Sequence, residues 1–78
     1  MEIKVYGTEA CPQCKAVKQY LTANGIDFED VNLFEDTAMQ SVLIDKGFMS
    51  IPVIEYDGKY IVGFNVKKLK EVLNNGND

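Results

Sequence analysis

Seventy-eight residues, 46% of them apolar, are enough for one domain with a thin core and too apolar for a disordered chain. Eight lysines, no arginine, no histidine and a formal net charge of −4 argue against a nucleic-acid binder and remove imidazole as a base or metal ligand. No apolar run approaches the ~20 residues of a membrane span, and the first residues read as a strand rather than an export signal, so a cytoplasmic setting is expected.

Residues 2–6 alternate Glu-Ile-Lys-Val-Tyr, which predicts a strand with Ile3 and Val5 on one face. Gly7-Thr8-Glu9-Ala10 reads as a loop. Pro12 suits the first turn of a helix, where its missing N–H would have no partner. Ala16, Val17, Tyr20 and Leu21 then fall at helical spacing, with Lys15, Lys18 and Gln19 on the wet face. Asn24-Gly25 offers a left-handed stop. Ile26–Leu33 is the second expected strand, with Ile26, Phe28 and Val31 inward and the acidic Asp27, Glu29 and Asp30 along an outer edge.

Asp36-Thr37 starts a second helix with Met39, Val42 and Leu43 on one stripe, and Gly47 ends it. Ile51–Tyr56 reads as the third strand, Asp57-Gly58 as a two-residue hairpin turn and Lys59–Val62 as the fourth strand. Gly63 ends that strand. Asn65 caps a last helix carrying Val66, Leu69, Val72 and Leu73, and residues 74–78 read as a frayed polar tail on the single 1–78 domain. The expected architecture is α/β: a mixed four-stranded sheet in βαβ-α-ββα order, flanked by three helices.

The chemistry concentrates at Cys11-Pro12-Gln13-Cys14, which holds both cysteines of the chain. In a reducing compartment such a pair is more often catalytic or metal-binding than structural. Cys11 falls at the N-cap and Cys14 in the first turn, where unpaired amides and the positive end of the helix dipole favour a thiolate. Cys11 is therefore expected to be the exposed nucleophile and Cys14 the resolving thiol, which opens the mixed disulfide and releases reduced substrate. A structural zinc needs four ligands, and two cysteines without histidine would need carboxylates or a second chain to complete the set. Ile51-Pro52 adds a second feature: a proline belongs at a strand start or edge, and a cis bond there would turn the Ile51 backbone toward the thiols.

Taken together, the strand, the Cys-Pro-x-Cys helix start, Ser50-Ile51-Pro52 and Gly63-Phe64 before the last helix resemble the glutaredoxin/thioredoxin superfamily over essentially the whole chain. The resemblance implies a thioredoxin-like fold, a cis Pro52, thiol–disulfide oxidoreductase activity as an electron carrier, and no tightly bound cofactor. Glutaredoxins that use glutathione carry Cys-Pro-Tyr-Cys, a basic residue three before the first cysteine, and Gly-Gly followed by Asp. Here Gln13, Thr8 and Gly63-Phe64-Asn65-Val66 stand in those places.

Gln13 and the Gly-Phe pair look more like the small glutaredoxin-like redoxins that feed ribonucleotide reductase and are recycled by thioredoxin reductase. Those carry Trp-Ser-Gly-Phe-Arg-Pro, whereas this chain has Ile61-Val62 before the Gly-Phe and Asn65-Val66 after it. Glutathione stands as the alternative reductant. The candidate site is thus Cys11 and Cys14 as reacting thiols, with Tyr6, Pro12, Gln13, Ile51, Pro52, Gly63 and Phe64 as substrate contacts and no metal ligand, in a monomer. Tyr6 and Phe64 read equally as core aromatics, Gly63 as a plain turn glycine, and Lys15 and Lys18 as a solvated face.

Overall fold

The computed structural model describes residues 2–76. Its elements are β1 (Ile3–Gly7), α1 (Pro12–Ala23), β2 (Glu29–Asn32), α2 (Thr37–Asp45), β3 (Val53–Tyr56), β4 (Lys59–Val62) and α3 (Val66–Gly76). The strands form one sheet in the order β2-β1-β3-β4. β1 runs parallel to β2 and antiparallel to β3, and β4 returns antiparallel to β3.

β1 is buried along both faces, as a central strand must be when helices cover the sheet on each side. One face carries Ile3, Val5, Ile54 and Ile61 against Val17 and Leu21 of α1 and Leu69 and Val72 of α3. The other carries Tyr6 and Val53 against Leu33, just after β2, and Leu43 of α2. The helices therefore divide two to one, with α1 and the Cys-Pro-Gln-Cys turn on the larger core. Each fully buried Val or Leu in that core contributes about 1.5–3 kcal/mol of apolar burial.

Both α1 and α2 end in the same glycine-based cap. Gly25 and Gly47 take positive φ, their N–H groups reach Thr22 O and Ile44 O, and the next residues, Ile26 and Phe48, bond back to Leu21 O and Leu43 O. This cap explains why β2 is shorter than its apolar pattern. The Ile26 N–H is committed to α1, and the ladder with β1 begins only at Glu29, while Ile26 and Phe28 still rest on the core. β3 likewise begins at Val53, because Pro52 has no N–H for a ladder.

Asp36 and Asn65 cap α2 and α3, accepting from the Met39 and Lys68 N–H groups at 3.0 and 3.1 Å. In α2 only Leu43 is fully buried. Val42, expected on the inner stripe, is 42% exposed, since the helix meets the sheet through Leu43 and Met39. α3 extends to Gly76, so the polar stretch expected to fray from Asn74 is helical that far. Residues 77–78 and the Leu73 side chain lie outside what is described.

Candidate active site

The site is built where the end of β1 hands over to α1. Thr8–Ala10 carry the chain across, and the Cys11 N–H donates to Thr8 O at 3.4 Å. Cys11 then takes extended dihedrals at the N-cap, and its Sγ accepts the Cys14 N–H at 3.2 Å. The sulfur thus replaces the Ser or Asp oxygen of an ordinary cap and meets one of the helix's unpaired amides. Pro12 occupies the first helical position, and the first turn carries no carboxylate to oppose the dipole. Cys11 is partly exposed, Pro12 and Gln13 are exposed, and Cys14 is 1% exposed. Both thiols are free.

This placement separates the two sulfurs chemically. Burial pushes the Cys14 thiol up to about 11, and its hydrogen bond to the Cys11 sulfur acts in the same direction. A backbone hydrogen bond at Thr8 and the Lys18 charge pull the other way, without overcoming burial. Cys14 therefore holds its proton at neutral pH, beneath a partner open to solvent. An accessible sulfur on helix amides above a buried, protonated one is an arrangement suited to attack by the first and resolution by the second.

Around the thiols, the expected contacts divide. The Ile51–Pro52 peptide bond is cis, Pro52 is buried, and its carbonyl accepts the Gly63 N–H at 2.8 Å. A Cβ at Gly63 would lie 3.9 Å from Gln13 Oε1, so the Gln13 side chain reaches the β4–α3 turn. Phe64 is 39% exposed and meets the Tyr20 ring of α1 edge-on at 6.4 Å. Gln13, Gly63, Phe64 and Pro52 thereby form one continuous rim beginning between the cysteines. Ile51 is half-buried and its side chain packs on the α2-side core, as do Phe48 and Tyr60, whose rings lie 5.0 Å apart.

Tyr6 is not part of that rim, which corrects the substrate contact expected of it. It is 2% exposed, sits in the α2-side core with Leu33, Leu43 and Val53, and donates its hydroxyl to Glu55. Burial and that carboxylate push its hydroxyl above the ordinary range, so it remains a donor. Lys18, read as a solvated residue, is held at 3.1 Å by Asp30 of β2.

The sequence reading placed Gly7 in a loop and did not foresee its contact with Cys14, whereas it closes β1. Gly7 does carry a legible signal, since a glycine in a strand often marks close approach by another group. Among the described residues no three Cys, Asp or Glu side chains gather into a metal-sized cluster.

The comparisons agree with this geometry. The glutaredoxin family model matches residues 3–61. A glutaredoxin-like 8.6 kDa protein of the rubredoxin operon of Clostridium pasteurianum is 41% identical over 75 residues, covering 91% of this chain and 96% of its own. The glutaredoxin-like protein NrdH of Lactococcus lactis subsp. lactis is 33% identical over 70 residues, covering 90% and 97%. Among solved structures, the glutaredoxin-like NrdH-redoxin of Escherichia coli, described with a thioredoxin-like activity profile, superposes with a TM-score of 0.87 at 28% identity, covering 91% of this chain and 93% of that one. The four-stranded sheet with three helices is thus the thioredoxin-like fold.

Proposed function

The chain belongs to the glutaredoxin family and is a thiol–disulfide oxidoreductase, and from that premise we propose that it is a small redoxin passing electrons to protein disulfides through Cys11 and Cys14. The observation that carries this reading is the pairing of a partly exposed N-cap sulfur with a buried one in the first turn of α1.

The Cys11 thiolate attacks one sulfur of the substrate disulfide, and the other substrate sulfur leaves as a thiolate. Cys14 then gives up its proton and attacks Cys11 Sγ. A Cys11–Cys14 disulfide forms, the second substrate thiolate departs, and protons from Cys14 and solvent complete the two substrate thiols. The substrate is oxidising and the redoxin is left oxidised, so an upstream donor must return two electrons.

Thioredoxin reductase is the donor we propose and ribonucleotide reductase the client, engaged through an extended tail lying along Gln13, Ile51-Pro52 and Gly63-Phe64. The Gln13 and Gly-Phe resemblance supports this pair, as does the likeness to a redoxin with a thioredoxin-like activity profile. The protein works as a monomer in the reducing cytoplasm, where such a dithiol is kept charged. Glutathione is the rival donor, favoured by the family match; Thr8 and Asn65-Val66 in place of the clamp residues weigh against it.

Insulin reduction separates the two. Turnover with NADPH and thioredoxin reductase should exceed turnover with glutathione and its reductase by at least tenfold. The reverse ratio sinks the proposed donor, and no turnover with either sinks the electron-carrier reading.

A further inference from the structure

Gly7 closes β1 as a buried residue, directly against the helical turn that carries Cys14. A Cβ built on it would lie 2.4 Å from Cys14 Sγ and 3.1 Å from Cys14 Cβ. Non-bonded heavy atoms settle at about 3.5–4.0 Å, so no side chain fits at residue 7 while Cys14 keeps this position. The need for glycine here is steric rather than conformational, because the positive-φ glycines are Gly25, Gly47, Gly58 and Gly63, and Gly7 is not among them.

The strand side of the contact is fixed, so the sulfur is the side that must move. The Gly7 carbonyl accepts the Leu33 N–H at 2.9 Å, and Gly7 is in register with Asn32 of the adjoining strand. The Cys14 backbone is held by its N–H on Cys11 Sγ, so the sulfur can leave only by changing χ1, for which a helical residue has few alternatives.

We propose that Gly7 is a positioning residue of the redox centre: its missing side chain is the recess in which the Cys14 sulfur is held for attack on Cys11. The proposal rests on the reading of Cys14 as the resolving thiol. A methyl group at residue 7 expels that sulfur from its place and slows the second step, leaving the first untouched.

Dithiobis(nitrobenzoate) reports both steps on the reduced protein. Attack by Cys11 forms a mixed disulfide and releases one coloured nitrothiophenolate. Attack by Cys14 on Cys11 Sγ then closes the protein disulfide and releases the second. In stopped flow, Gly7→Ala should keep the first phase within twofold of wild type and slow the second at least fivefold. A second phase within twofold of wild type overturns the proposal.

Urea unfolding of the reduced proteins gives an independent arm. Gly7→Ala should lower the midpoint clearly when Cys14 is present and much less in a Cys14→Ala background. Equal losses in both backgrounds overturn the proposal. If Gly7→Ala alone does not fold, recovery of folding in the double variant supports the recess, and failure of the double variant overturns it. A wild-type protein that releases only one nitrothiophenolate would instead defeat the resolving role of Cys14, while the unfolding arm still reports on the recess.

Discussion

Cys11 and Cys14 have the same chemistry and opposite surroundings, and that contrast has a consequence in pH. Between the ordinary thiol value of 9.0 and the raised value of about 11, native Cys14 keeps a proton that the unfolded chain has lost. The reduced protein should therefore lose stability as pH rises from 9 to 11, and its contribution should be flat below 9, where both states are protonated. Urea unfolding across that range checks this, with Cys14→Ala expected to remove the slope. Burial still acts on Cys14 when Cys11 is tied up in a mixed disulfide, so the resolving step should also accelerate with pH, and a pH-independent second phase would contradict the assignment. The N-cap position already marks Cys11 as the exposed thiol and Cys14, in the first turn, as the inner one, but the raised value of Cys14 was not legible there, because the depth of its burial depends on β1 running beneath the helix with Gly7 against the sulfur.

At the level of elements, legibility followed how locally each one is determined. Asp57-Gly58 was readable because a two-residue turn needs positive φ at both positions, which Asp57 and Gly58 adopt. The caps at Asp36 and Asn65 were readable for the same reason, since each acts within its own first turn. β2 was overextended because its apolar pattern continues through Ile26 and Phe28, whereas the backbone of Ile26 is taken by the end of α1. Tyr6 was left open between core and site because alternation assigns a face without saying that α2 covers it. The larger core makes its own prediction. Leu21 is buried between α1 and the sheet, and Leu21→Ala should cost about 2–5 kcal/mol by urea unfolding. A loss below 1 kcal/mol would mean that α1, and the thiols on it, are held by something else.

For the whole molecule, the fold places a reactive turn at one end of a sheet whose central strand is sealed on both faces, with the Gln13, Gly63, Phe64 and Pro52 rim beside it. The order of elements and the edge position of the acidic strand follow from a βαβ unit joined to a hairpin, which is why they could be anticipated from sequence, whereas Gly63 and Phe64 of the rim were anticipated through the family resemblance. The central claim is a two-thiol relay in which Cys11 attacks and Cys14 releases. Its most direct test is to mix reduced Cys14→Ser and Cys11→Ser proteins with insulin and resolve the products by mass spectrometry without reductant. The relay predicts that Cys14→Ser accumulates as a stable mixed disulfide through Cys11, while Cys11→Ser forms almost none. Adduct formation through Cys14 in the Cys11→Ser protein at a comparable rate, or no adduct in either, would contradict it.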